Sequence, residues 1–263
     1  MTHASLPQMH VVEGIDRLAS SHGRLFVVVG VFDGLHRGHA YLLEHLRAEA
    51  GRREARPAVI TFDHHPDEIL TGTSPPLLLD PNERLERLEQ AGVAITVIEV
   101  FDVALRMTPF DRFVRRIAER VDLAGFLMTP DSAFGHDRGG TPETVAALGR
   151  ELGYDVAVIP ALEIDGRAVR SAEIRAAIAA GNLRDAGRLL GHPYAIVGRT
   201  EADDDGDWVV RVPMPVALPP AGDYEVSIDA ADEAWSPGIA PPSADRTVPP
   251  TAFRGAVSID ETA

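Results

Sequence analysis

The chain contains no cysteine, which excludes disulfides, thiolate zinc sites, cysteine nucleophiles and iron–sulfur ligation together. It contains no lysine either. All 25 basic residues are arginine, so the amine on which a P-loop or a Schiff-base mechanism depends is missing. Long apolar runs are also absent: no uninterrupted stretch reaches the roughly 18 residues of a membrane-spanning helix. Near the N-terminus, His, Glu, Asp and Arg stand where a signal peptide would need an apolar core. These absences predict a cytoplasmic protein with no membrane partner. Positive charge is scarce as well. A formal net charge of −15, without cations interleaved with aromatics, argues against nucleic acid as a partner.

What is present suffices for a globular protein. At 263 residues, 45% of them apolar, the chain can hold one large domain and a small one. Its charge is unevenly spread. Glu201 to Ala263 carry 13 acidic and 3 basic residues, a net of −10 that leaves −5 for the rest. The tail reads as a separate region.

The first 160 residues alternate short β-branched runs with amphipathic segments, which predicts an α/β fold with a doubly wound parallel sheet. Strands are expected at Phe26–Val31, Ala58–Phe62, Ile95–Val100, Gly125–Thr129 and Val156–Ile159. Helix starts are marked at Asp80-Pro81, Thr108-Pro109 and Thr141-Pro142, each a capping side chain before a Pro at the first helical position. Asp165-Gly166 predicts a tight turn between short strands Ala161–Ile164 and Arg167–Val169. Helices Ser171–Ala180 and Asn182–Leu190 should follow, stopped by Gly181 and Gly191. Beyond Tyr194, fragments such as Trp208–Val212 and Tyr224–Ile228 predict a small β domain. Ser236–Pro250 is expected to form a long loop.

The residues that carry chemistry run from Gly30 to His39, Gly-Val-Phe-Asp-Gly-Leu-His-Arg-Gly-His, between the most apolar strand and a helix expected at Ala40–Glu49. In a doubly wound sheet, ligands bind beyond the carboxyl ends of the strands, where a helix N-terminus offers free N–H groups to an anion. His36 and His39, three apart and expected on the first helical turn, share a face and can both donate to a phosphate chain. Gly34 and Gly38 allow close backbone approach. The plainer alternative is a glycine turn with two surface histidines.

Gly30–His39 resembles the nucleotide-binding signature of the bacterial bifunctional riboflavin kinase/FAD synthetase family, in its adenylyltransferase half. The likeness continues in order. Ile60–Pro66 is similar to that family's stretch after the second strand, with His64 replacing a Pro. Glu83-Arg84-Leu85, with Leu88, Gly92 and Val93, resembles the next helix. Phe134-Gly135 with Arg138–Gly140 resembles the flavin-side loop, and Gly191-His192-Pro193-Tyr194 the exit into a second domain. The resemblance covers about residues 20–198. It implies an HxGH-type nucleotidyltransferase domain over residues 1–193 and a degenerate, β-barrel-like riboflavin-kinase domain over 194–263.

The implied reaction is FMN adenylylation: AMP passes from ATP to FMN, with Mg²⁺ helping the transfer and pyrophosphate leaving. His36 and His39 are the implied catalytic residues. Gly30, Phe32, Asp33, Gly34, Gly38, Arg170, Ser171 and Arg175 would bind nucleotide. Phe62, Asp63, His65, Asp131 and Phe134 fall on the acceptor side, with Asp63, His65 and Asp131 open to acceptor or Mg²⁺; no metal ligand is fixed. The alternatives are the same chemistry on another acceptor or nucleotide, and a non-catalytic flavin or nucleotide sensor.

Three departures from the family pattern stand out. Arg170-Ser171-Ala172 keeps one hydroxyl where the family has three, which implies an altered phosphate clamp unless Ser171 is merely a helix cap. Ser132 stands where an aromatic residue is usual. The kinase half's Gly-x-Pro-Thr-Ala-Asn segment and its catalytic Glu are absent, so kinase activity is not expected, and Asp203, Asp204, Asp205 and Asp207 read as a solvated acidic turn.

Overall fold

The computed structural model describes residues 8–202, 208–212, 214–224, 226–231 and 252–257. Among them the elements run β1 (His10–Glu13), β2 (Arg24–Val29), α1 (Arg37–Arg52), β3 (Arg56–Phe62), α2 (Pro66–Thr71), α3 (Pro81–Gln90), β4 (Ile95–Glu99), α4 (Val103–Arg106), α5 (Phe110–Ala118), β5 (Asp122–Met128), α6 (Pro142–Leu152) and β6 (Asp155–Val158). There follow β7 (Glu163–Ile164), β8 (Arg167–Ala168), α7 (Ser171–Ala179), α8 (Leu183–Leu190), β9 (Tyr194–Ala202), β10 (Trp208–Arg211), β11 (Val226–Ala231) and β12 (Ala252–Val257).

Contacts divide the chain into two compact units. One comprises Met1–Phe32, Gly38–Pro75 and Leu85–Ala168; the other comprises Asp33–Arg37, Pro76–Arg84 and Val169–Ala263. The first holds a six-stranded sheet in the order β1-β4-β3-β2-β5-β6, every pairing parallel. Strands buried on both faces need no polar alternation, and β2, β3 and β5 are accordingly near-continuous apolar runs. Ile15, Val27, Ile60, Ile95, Val114, Ile117 and Val145 anchor one core cluster. From β2 the chain works outward through β3 and β4, then returns to β2's other side for β5 and β6. The strand order therefore reverses between β2 and β5, the point where such sheets open a crevice.

The second unit contains α7, α8 and a four-stranded antiparallel sheet in the order β10-β9-β12-β11. Leu77 bridges Val216, and the buried Tyr194 hydroxyl donates to Ala217 O at 2.5 Å.

Several expectations are corrected. The sheet has six strands rather than five. β1 buries one of its four residues, Val12, so it carries no apolar run to read. The short helices α2 and α4 were not expected; the His65 ring and the Asp102 carboxylate cap their first turns. β2 ends at Val29 rather than Val31, because Phe32 turns into left-handed backbone at φ 55°. α1 spans Arg37–Arg52, so His36 stands one residue ahead of it. Pro109 lies at the cap of α5 and not inside it, and Arg170 rather than Ser171 occupies the cap of α7. The turn at Asp165 (φ 52°) and Gly166 (φ 73°) is as expected for a two-residue hairpin. Asp203, Asp204, Asp205, Asp207 and Ser236–Pro250 lie outside the described residues.

Candidate active site

Beyond the carboxyl ends of β2, β3, β4 and β5 the first unit encloses a cavity of about 860 Å³. Its walls are Val29–Val31 from β2, Phe62 and His65 after β3, Phe101–Thr108 after β4, and Leu127–Arg138 after β5. It therefore opens at the switch point of the sheet, as the general rule for such folds requires. Four of the five acceptor-side candidates, Phe62, His65, Asp131 and Phe134, line it, and so does Gly30. Asp63 does not line it: its Oδ1 accepts from the backbone N–H groups of His64 and Phe101, both at 2.9 Å. That carboxylate ties the end of β3 to the end of β4.

The cavity floor is aromatic. Phe134 lies 5.5 Å from Phe113 and 5.8 Å from Phe126 between ring centroids, and Phe62 meets Phe101 edge-on at 5.2 Å. The loop after β5 closes on itself. Ser132 Oγ accepts from Thr129 N at 2.9 Å, Thr129 Oγ1 donates to Asp131 Oδ1 at 2.8 Å, and Arg138 Nη2 donates to Asp131 O at 3.0 Å. Ser132, standing where an aromatic residue was expected, thus serves as a loop closure. Asp137 and Arg138 both adopt left-handed backbone, φ 50° and 55°, beside the cavity. Non-glycine residues are held there only where their surroundings over-determine them. His65 Nδ1 accepts from Asp67 N at 3.2 Å, which leaves Nε2 to carry the ring proton.

The Gly-rich segment is strained in the same way. Phe32 (φ 55°) and Leu35 (φ 38°) flank Gly34 (φ 83°). Only glycine suits the centre, because a Cβ on Gly34 would also come within 3.0 Å of Leu78 Cδ1. Phe32 is buried, and its ring stacks at a tilt, 5.0 Å from the ring of His39, in the first turn of α1. In the second unit, Asp33 is buried and heavily engaged. Its Oδ1 accepts from Leu78 N at 2.9 Å, its Oδ2 pairs with the Arg175 guanidinium, and its carbonyl accepts from Ser171 Oγ at 2.9 Å. Arg175 Nε also donates to Pro76 O at 2.8 Å. Asp33, Ser171 and Arg175, three expected nucleotide ligands, thus form one structural knot at the turn. His36 is 4% exposed, and its pKa is pushed down to about 4, first by burial and then by the charges of His192 and Arg175. At neutral pH it is therefore an uncharged imidazole.

Sequence reasoning missed Phe101, Arg106 and Phe126 as cavity walls. The rule that ligands bind beyond the carboxyl ends of strands should have brought in the segment after β4, but no motif drew attention to it.

A parallel sheet with its cavity at the switch point, and a glycine turn carrying two histidines into the next helix, define a nucleotidyltransferase. The sequence model of FAD synthetase matches residues 18–173, and the chain belongs to the FAD synthetase family, whose members are FMN adenylyltransferases using ATP and FMN. A bifunctional riboflavin kinase/FMN adenylyltransferase of Pseudomonas fluorescens is 31% identical over 88% of this chain and 76% of its own length. Its counterpart in Escherichia coli K12 is 30% identical over 88% of this chain and 77% of its own. The solved structure of a macrolide-efflux protein from Streptococcus pneumoniae has a TM-score of 0.77 at 21% identity, covering 95% of this chain and 98% of that one, and shares its fold. Among the described residues no helix is long and apolar enough to cross a membrane.

Proposed function

We propose that the protein transfers AMP from ATP to FMN, giving FAD and pyrophosphate, and that it lacks riboflavin kinase activity. The observation that carries this reading is the aromatic cavity at the switch point, which has room for a flat tricyclic ring and borders Gly30, the first residue of the phosphate-binding stretch. An oxygen of the FMN phosphate attacks the α-phosphorus of ATP, the bond from that phosphorus to the bridging oxygen breaks, and pyrophosphate departs. No protein nucleophile is required. His36, neutral, and His39, in the first turn of α1, donate N–H groups to the charge that builds on the transferring phosphate, and the helix N-terminus adds its dipole. Gly30, Phe32, Asp33, Gly34 and Gly38 shape the turn, with Ser171 and Arg175 bracing it through Asp33, and Arg170 supplies a cation at the start of α7.

Phe62, His65, Asp131 and Phe134 hold the acceptor. Mg²⁺ typically binds through one or two carboxylates plus substrate phosphates, and the exposed carboxylate of Asp131 on the cavity wall fits that need. Bound there with ATP, the ion would neutralise phosphate charge. Among the described residues no cluster of three or more His, Asp or Glu makes a dedicated metal cage, which agrees with an ion shared with substrate. We further assign residues 1–193 to the transferase domain and 194–263 to a degenerate β-barrel-like domain.

The test is FAD formation from FMN and MgATP, followed chromatographically with pyrophosphate release. His36→Ala and His39→Ala should each lower kcat by about 10²-fold or more, with far smaller effects on folding. Wild-type rates in both variants would overturn the assignment, and pyrophosphate without FAD would point to another acceptor.

A further inference from the structure

The imidazole of His192 lies between two backbone carbonyls in the second unit. Its Nδ1 is 2.9 Å from Pro193 O, and its Nε2 is 3.2 Å from Gly34 O. A carbonyl oxygen can only accept, and a neutral imidazole has a single N–H to give. Neutral, the ring would meet one oxygen and turn a lone pair toward the other. Doubly protonated, it satisfies both.

We infer that His192 is a positioning residue for the AMP transfer: as an imidazolium spanning the Pro193 and Gly34 carbonyls, it fixes the strained Gly34–His36 turn and makes turnover depend on its proton. Gly34 and Leu35 both sit in left-handed backbone, and Leu35 has none of glycine's freedom there, so the turn needs outside support to stay in place. The bond to Gly34 O acts one residue from Leu35 and two from His36, the histidine that the transfer uses.

Several charged and titratable groups lie near it. His36 and Arg175 belong to the same electrostatic cluster. Arg175 is paired with Asp33, so its charge is largely offset. The side-chain carbons of Arg37 run against Gly191, next to His192 in the chain. Tyr194, on the other side, gives its hydroxyl to Ala217 O and stays neutral, its pKa raised by burial. Two fixed carbonyl acceptors therefore favour the proton, beside a neutral histidine and a paired arginine.

The inference rests on the FMN adenylyltransferase reading for what turnover means, but not for the protonation state. Two measurements separate the two. In the full chain labelled with ¹⁵N-histidine, the ring nitrogens of His192 should show the imidazolium pattern at pH 7.5, well above the ordinary histidine value of about 6.5. A neutral His192 ring at pH 7 overturns the proposal, whatever the activity. In the enzyme assay, kcat should fall on the alkaline side with the midpoint of that titration, while KM for ATP and FMN stays within about twofold. His192→Arg, whose guanidinium keeps its donors at every accessible pH, should remove the alkaline limb. His192→Ala should lower kcat about tenfold or more at all pH values with an unchanged circular dichroism spectrum. An alkaline limb that survives in His192→Arg overturns the proposal. If the wild type makes no FAD at any pH, the FMN reading fails, and the ¹⁵N titration still decides the state of His192.

Discussion

At the scale of single residues, the candidate site buries groups that water would otherwise charge or move. His36 is the clearest case. Kept neutral by burial, in the proposed reaction it would offer the transferring phosphate an N–H without a full charge, and that donation would not switch off as the medium passes through the ordinary histidine range. The same burial makes it a liability in acid. The unfolded chain binds a proton at this position below about pH 6.5, whereas the native ring stays neutral down to about 4. This contribution to stability is full above the unfolded value, declines as pH falls through the window between the two, and levels off below the native value. It amounts to on the order of 3 kcal/mol. Urea denaturation of the wild type and of His36→Gln at pH 7 and pH 4.5 checks it. The wild type should lose on the order of 3 kcal/mol more than the variant between the two conditions, and equal losses would show that His36 is not held neutral. Phe32 packs its buried ring on the imidazole of His39, at the cost of a left-handed backbone.

At the scale of elements, the sheet depends on one contact that only a residue without a side chain can make. Gly125 in β5 pairs with Asp155 of β6 at φ 150°, and a Cβ there would lie 2.1 Å from the Asp155 carbonyl oxygen. That oxygen is backbone in a strand and cannot give way. Gly125→Ala should cost on the order of 4 kcal/mol or separate β6 from β5, read as a loss of the cooperative thermal transition. A variant within about 1 kcal/mol of wild type would mean the strand relaxes locally. The sequence at this position is a lone Gly within an apolar run, legible as strand but silent about why Gly is needed. The same contrast runs through the rest. β2, β3, β4, β5 and β6 were legible because each is an apolar run, and α6 because Thr141 caps it before Pro142. β1 was not, since an edge strand with one buried residue has no pattern of its own. In the site, the Gly30–His39 turn could be read from residue types and spacing, whereas the loop around Phe134 was singled out only by the family resemblance. The Asp33–Arg175 knot could not, because its partners are 142 residues apart and each taken alone reads as a phosphate ligand. Nor could the neutrality of His36, which comes from burial that no motif records.

At the scale of the whole molecule, charge and motif bear on whether this chain carries both of the activities named for its relatives. The P. fluorescens and E. coli proteins are called bifunctional and each matches 88% of this chain, while the FAD synthetase model itself matches residues 18–173. In the part that follows, a four-stranded antiparallel sheet is present, but the Gly-x-Pro-Thr-Ala-Asn stretch whose hydroxyl and amide would sit around Mg²⁺ and phosphate is not in the sequence. Charge points the same way. A second site for polyanionic ATP would have to form within residues 201–263, whose sequence carries 13 acidic residues and 3 arginines, a net charge that opposes the substrate. With riboflavin and MgATP the protein should therefore make neither FMN nor FAD, while with FMN and MgATP it makes FAD. The direct check is chromatography of both reactions over the same time course. Adding a separate riboflavin kinase to the first should restore FAD, since the only missing step would then be supplied. FMN accumulating from riboflavin without that addition would show that the C-terminal sheet phosphorylates its substrate through residues unlike those of the family, and would end the division of labour proposed here.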